Sequence, residues 1–82
     1  MSETQERRDV SDRAQASVRR ALDAGLYVTQ FNSGSRYNES NGFRVFKGRT
    51  PRDHFDAGWL THCDTLDGLN AYVAGYIEGR AA

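Results

Sequence analysis

The chain reads as an α+β two-layer domain in the order helix, strand, strand, strand, helix, with a three-stranded antiparallel sheet covered on one face by both helices. Three observations predict it. Apolar residues recur at helical spacing near each end, β-branched and aromatic runs broken by Gly, Asn, Ser and Pro lie between, and 82 residues suffice for one core and no second.

The first helix begins at Val10. Val10, Ala14, Val18, Ala21 and Leu22 fall on one helical face, while Asp12, Arg13, Arg19, Arg20 and Asp23 fall on the others. Gly25 can take the left-handed conformation that ends a helix, and Leu26 can fold back on the last turn, so the helix ends near Ala24. The residues before it, 1–9, read as a flexible or frayed N-terminus, and 10–80 as the single α+β domain.

Leu26 to Phe31 is β-branched and aromatic, which predicts a strand entered directly from the helix. Asn32-Ser33-Gly34-Ser35 closes it. After Arg36 to Ser40, Asn41-Gly42 is a strong two-residue hairpin signal, followed by a strand over Phe43 to Lys47. Gly48 to Asp53 is a turn, where Pro51 cannot donate to a ladder. Gly58 to Cys63 predicts a further strand, with Trp59 and Thr61 on one face and Leu60 and His62 on the other.

Asp64 or Thr65 caps the second helix, and Asp67 favours its positive end. Leu66, Leu69, Tyr72, Val73, Tyr76 and Ile77 form its apolar face. Gly68, Ala71, Gly75 and Gly79 form a strip of small residues beside that face. Because glycine inside a helix costs on the order of 1 kcal/mol against alanine, a close approach of backbone is expected there. It is either packing of the first helix, whose facing Ala14 and Ala21 are also small, or the seam of a homodimer.

The hydrophobic fraction of 38% is enough for a folded globule, and a single cysteine, Cys63, cannot staple the chain. A polar N-terminus without an apolar signal segment, and no apolar run near 20 residues, predict a soluble cytoplasmic protein without membrane contact.

Charge is sorted along the chain although it sums to zero. Residues 26–52 carry Arg36, Arg44, Lys47, Arg49 and Arg52 against Glu39. Residues 53–82 carry Asp53, Asp56, Asp64, Asp67 and Glu78 against Arg80. Such bipolarity speaks to partners rather than to fold.

His54, His62, Cys63, Asp53, Asp56 and Asp64 are metal-binding types, but His62 and Cys63 adjoin on a strand and so point apart, and no paired CxxC or HxxxH closes a tetrahedron. No metal or cofactor is expected. Cys63 lacks a histidine in geometry to activate it, and nearby acids disfavour its thiolate. The glycine-containing turns lack the spacing of a phosphate loop. The sequence therefore predicts no enzymatic activity.

Binding remains. Arg36, Tyr37, Arg44, Phe46, Lys47, Arg49 and Arg52 interleave bases with aromatics, as contact with phosphates and bases requires. The element order is similar to a double-stranded-RNA-binding domain, and residues 43–79 to the three-strand-plus-helix DNA-binding modules of phage-type integrases. The RNA-binding domain, however, sets a lysine-rich run at the start of its second helix, where this chain has Asp64, Thr65, Leu66, Asp67 and Gly68, and neither family is assigned.

Tyr, Trp, Phe and Arg are also the residues on which protein interfaces concentrate their energy. If Leu26, Val28, Phe43, Val45, Leu60 and His62 face the helices, then Tyr27, Phe31, Arg44, Phe46, Trp59 and Thr61 line an open aromatic and basic face; the opposite register would bury Trp59 and Phe46 and expose Phe43 and Val45. The functional expectation is a small non-catalytic protein that binds a protein partner through Tyr37, Arg44, Phe46, Lys47, Arg49, Arg52 and Trp59, as monomer or homodimer. Stand-alone domains of this kind are often accessory proteins of bacteria or phages, including inhibitors such as anti-CRISPR proteins. The alternative is a DNA- or RNA-binding module using the same basic hairpin.

Overall fold

A computed structural model describes residues 10–34 and 40–81. The stretch 1–9, expected to be frayed, and Arg36 and Tyr37 lie outside the described residues. The element order is α1 (Asp12–Asp23), β1 (Leu26–Phe31), β2 (Gly42–Lys47), β3 (Thr61–Cys63) and α2 (Leu66–Ala81).

Helix α1 follows its apolar spacing, burying Ala14, Ser17, Val18 and Ala21. Gly25 ends it at φ +89°, as only a residue without Cβ readily does, and Leu26 beyond it is wholly buried. Strand β1 keeps the bounds read from sequence. It pairs antiparallel with β2, which pairs antiparallel with β3, giving sheet order β1-β2-β3.

Two strand expectations need correction. Asn41-Gly42 is not a two-residue turn: Phe31 pairs with Gly42, so Gly42 opens β2 and the whole segment 32–41 makes the connection. The expected strand Gly58–Cys63 shrinks to Thr61–Cys63. Gly58 stands at φ +92°, outside the extended region, so the chain enters the ladder only where Leu60 N–H donates to the Val45 carbonyl at 2.6 Å.

Thr65 caps α2, its Oγ1 accepting the Gly68 N–H at 3.0 Å. The apolar face is the one expected: Leu69 and Val73 are buried, and Leu66, Tyr72, Tyr76 and Ile77 pack against the core. That core joins Val10, Ala14, Val18 and Ala21 to Leu26, Val28, Phe43 and Val45, so both helices cover one sheet face. Where the helices meet, the Ser17 hydroxyl donates to Asn70 Oδ1. Helix α1 does not lie on the glycine strip: Ala71, Gly75 and Gly79 are exposed, and a Cβ at Gly75 or Gly79 would meet nothing within 4 Å. The apolar stripe of α2 takes the contact because it removes more apolar surface from water.

The pleat sets Leu26, Val28, Phe43 and Val45 toward the helices and Tyr27, Thr29, Phe31, Arg44 and Phe46 toward the outer face, as the first of the two registers required. On β3 the expected faces are reversed. His62 pairs with Arg44 and so lies outward, while Thr61 and Cys63, paired with Val45 and Phe43, lie on the helix side. Leu60, expected under the helices, is exposed.

Candidate functional site

The outer face is not open, because the segment between β2 and β3 crosses it. Phe46 shows why: it points away from the helices yet is 1% exposed, with the Arg52 guanidinium 5.5 Å from its ring centre. His54, in the same segment, is also buried and lies over the outer residues of β1.

The histidines, Thr29 and Arg44 of this second layer are joined by hydrogen bonds. The Ser40 carbonyl, which can only accept, lies 2.7 Å from His54 Nε2, so that nitrogen carries the proton. His54 Nδ1 is then free to accept from the Thr29 hydroxyl at 2.8 Å. Arg44 Nη1 donates to the His54 backbone carbonyl at 3.2 Å, and Arg44 Nε donates to His62 Nδ1 at 3.3 Å. That second bond fixes the tautomer of His62, whose Nε2–H faces the Asn41 carbonyl at 2.7 Å and Asp64 Oδ1 at 3.3 Å. Burial, ahead of the nearby Arg44 charge, holds the His54 ring below the usual histidine pKa despite its bond to Ser40.

Aromatic rings surround these groups. Phe31 stacks at 5.6 Å on His54, and Phe55 meets both edge-on at 5.1 Å. The Arg44 guanidinium lies 5.0 Å from the Trp59 ring and 5.6 Å from Phe55, so a half-buried cation is held beside two exposed rings.

The residues expected to bind therefore part company. Arg44 and Trp59 come together, and Lys47 and Arg52 stand exposed near the ends of the crossing segment. Phe46 is corrected to a packing role, since it offers no surface. Arg49 turns away to α1, donating to the carbonyls of Leu22 at 2.8 Å and Asp23 at 3.1 Å. Tyr37 lies outside the described residues. Thr29, His54 and Phe55 join the site without having been singled out for it. Period-two alternation from Tyr27 does set Thr29 beside Phe31 on the outer face, but no local pattern announces a segment that folds back across a sheet.

His54 and His62, 6.4 Å apart between ring centres, face outward, whereas Cys63 faces the helices. Among the described residues no group of three His, Cys, Asp or Glu could hold a metal ion, and no helix is long and apolar enough to cross a membrane. A separate groove of about 340 Å³ lies between the starts of the two helices, lined by residues including Arg13, Gln30 and Asp67. No family model, curated protein or solved structure matches the chain.

Proposed function

We propose that this is a small non-catalytic binding protein that docks a protein partner through the segment between β2 and β3. One observation carries the reading: Phe55, Trp59 and Leu60, at 59%, 42% and 45% exposure, are large apolar side chains left in water within six residues. Such a patch marks an interaction site, and Trp and Arg are the usual centres of interface energy. Arg44, already fixed between the rings and the two histidines, loses little further freedom on binding. The segment would act by occupying a partner's surface, the mode of accessory and inhibitory proteins of bacteria and phages.

The absence of catalysis in this reading is supported by the same network. His54 and His62 have both ring nitrogens engaged, Thr29 is buried, and burial followed by Asp64 raises the Cys63 thiol above its ordinary pKa. No group here is set up as a base or a nucleophile.

The test is capture of a stoichiometric partner from the native host, followed by titration with both proteins purified. The double variant Phe55→Ser, Trp59→Ser should weaken binding at least a hundredfold, since hot-spot truncations cost roughly 2 kcal/mol or more each. Unchanged affinity would overturn the proposed surface. A second reading has one observation in its favour: exposed rings beside Arg44 are also what base stacking uses. It requires retardation of single-stranded or duplex nucleic acid at low salt, with a salt dependence that shrinks in Lys47→Ala.

A further inference from the structure

We propose that His54 is a pH-responsive latch, whose protonation in mild acid releases residues 53–60 from the outer face of the sheet while the helix-covered core stays folded. The latch concerns the chain alone and holds whether or not the segment docks a partner.

The geometry suits the neutral ring better than the cation. With a proton on Nε2 for Ser40, Nδ1 must present a lone pair to the Thr29 hydroxyl 2.8 Å away. A second proton, on Nδ1, forces that hydroxyl to turn, and the acceptor within its reach is the Arg44 carbonyl at 3.5 Å, a poor bond.

The surrounding charges also oppose protonation. From β2 comes the Arg44 guanidinium, bonded to the His54 carbonyl, and from β3 the ring of His62. From β1 come only Thr29 and Phe31, which are neutral. Three carboxylates lie near in sequence: Asp53 adjoins His54, Asp56 accepts the Asp53 N–H at 2.9 Å, and Asp64 faces His62, yet none of them is among the charges acting on the His54 ring. Among the described residues, the standing charge that acts on His54 is the Arg44 guanidinium, which disfavours its cation, as His62 would in its own charged form.

Release gives up the Phe31 ring contacts and the Leu60 N–H bond to Val45, but it leaves the main core untouched. Phe55, Trp59 and Leu60 are already exposed, and the main core on the opposite face contains no residue of the segment. Few buried apolar contacts are the mark of a part that opens by itself. The sign follows from linkage. The ring binds its proton less readily closed than open, so the closed form is favoured in full above about pH 6.5, the usual histidine value. As pH falls below that, the opening equilibrium grows by up to tenfold per unit until the closed form also titrates.

The experiment follows His54 ring resonances, amide protection corrected for intrinsic exchange, and emission of the single Trp59 in the full chain from pH 7.5 to 5. Protection over residues 54–60 is expected to fall by up to tenfold per unit below about pH 6.5 and to level off where the His54 resonances titrate, with β1 and β2 still protected. In His54→Gln that dependence should vanish. Loss of protection throughout the molecule at once would overturn the latch, as would an unchanged dependence in His54→Gln. Should that variant not fold, the wild-type data still decide, because protection that stays constant between about pH 6.5 and the pH at which the His54 resonances shift would overturn the latch.

Discussion

At Gly42, φ is +116° and a Cβ would stand 2.5 Å from the Cys63 carbonyl, so both the backbone conformation and the approach of β3 demand glycine. Gly42→Ala should lower stability by about 1–3 kcal/mol, the usual cost of backbone strain, read as a lower urea midpoint with an unchanged slope. The Asn41-Gly42 pair was legible as a place where the chain turns sharply, but its neighbour across the sheet was not, because that contact spans some twenty residues. Cys63 illustrates a residue whose chemistry was readable in advance. Local acid and burial both raise its thiol pKa, so alkylation at pH 8 should run slower than for an exposed thiol and accelerate as pH rises. Arg49 shows the opposite case. Its charge suggested recognition, but its guanidinium closes the end of α1, and Arg49→Ala should cost about 1 kcal/mol of stability before any partner is considered.

Elements were legible in proportion to how local their signals are. The end of helix α1, strand β1 and the Thr65 cap of α2 are set by neighbours a few residues away and followed from Gly25, from the β-branched run and from the cap residue, whereas α1 starts at Asp12, two residues past the first apolar position. Thr65→Ala should accordingly lose about 1 kcal/mol. Strand β3 depends on distant pairing, and there the sequence misled: alternation over Gly58 to Cys63 looks continuous, but Gly58 at positive φ lies outside the ladder, and the pairing of His62 with Arg44 sets the faces opposite to those expected. The glycine strip of α2 was legible as a pattern and misread as packing. With open space around its Cα, Gly75→Ala should raise stability by about 1 kcal/mol in thermal melts of the monomer. A seam between two copies would give the contrary result, a dimer disrupted by the added methyl groups and visible in gel filtration.

Across the whole molecule, the sorted charges now have addresses. Of the described central bases, Arg44 orders two histidines, Arg49 closes a helix and Arg52 covers Phe46, while Lys47 stands at the end of β2. Several bases of the run thus have structural partners of their own, and the candidate site emerged from a connection that sequence could describe only as a turn. The end of α1 has a further consequence. Its carbonyls from Leu22 to Ala24 are reached by Arg49 and, at 2.6 Å, by Arg80, while Gly48 N–H closes on Gly25 at 2.7 Å, so the first, middle and last parts of the chain are tied at one point. Ties between such distant parts of a chain form after the chain has collapsed around its nearer contacts. Arg80→Ala should therefore steepen nothing in the refolding limb of a stopped-flow chevron and instead speed the unfolding limb, making this junction a determinant of how long the folded molecule lasts rather than how quickly it appears.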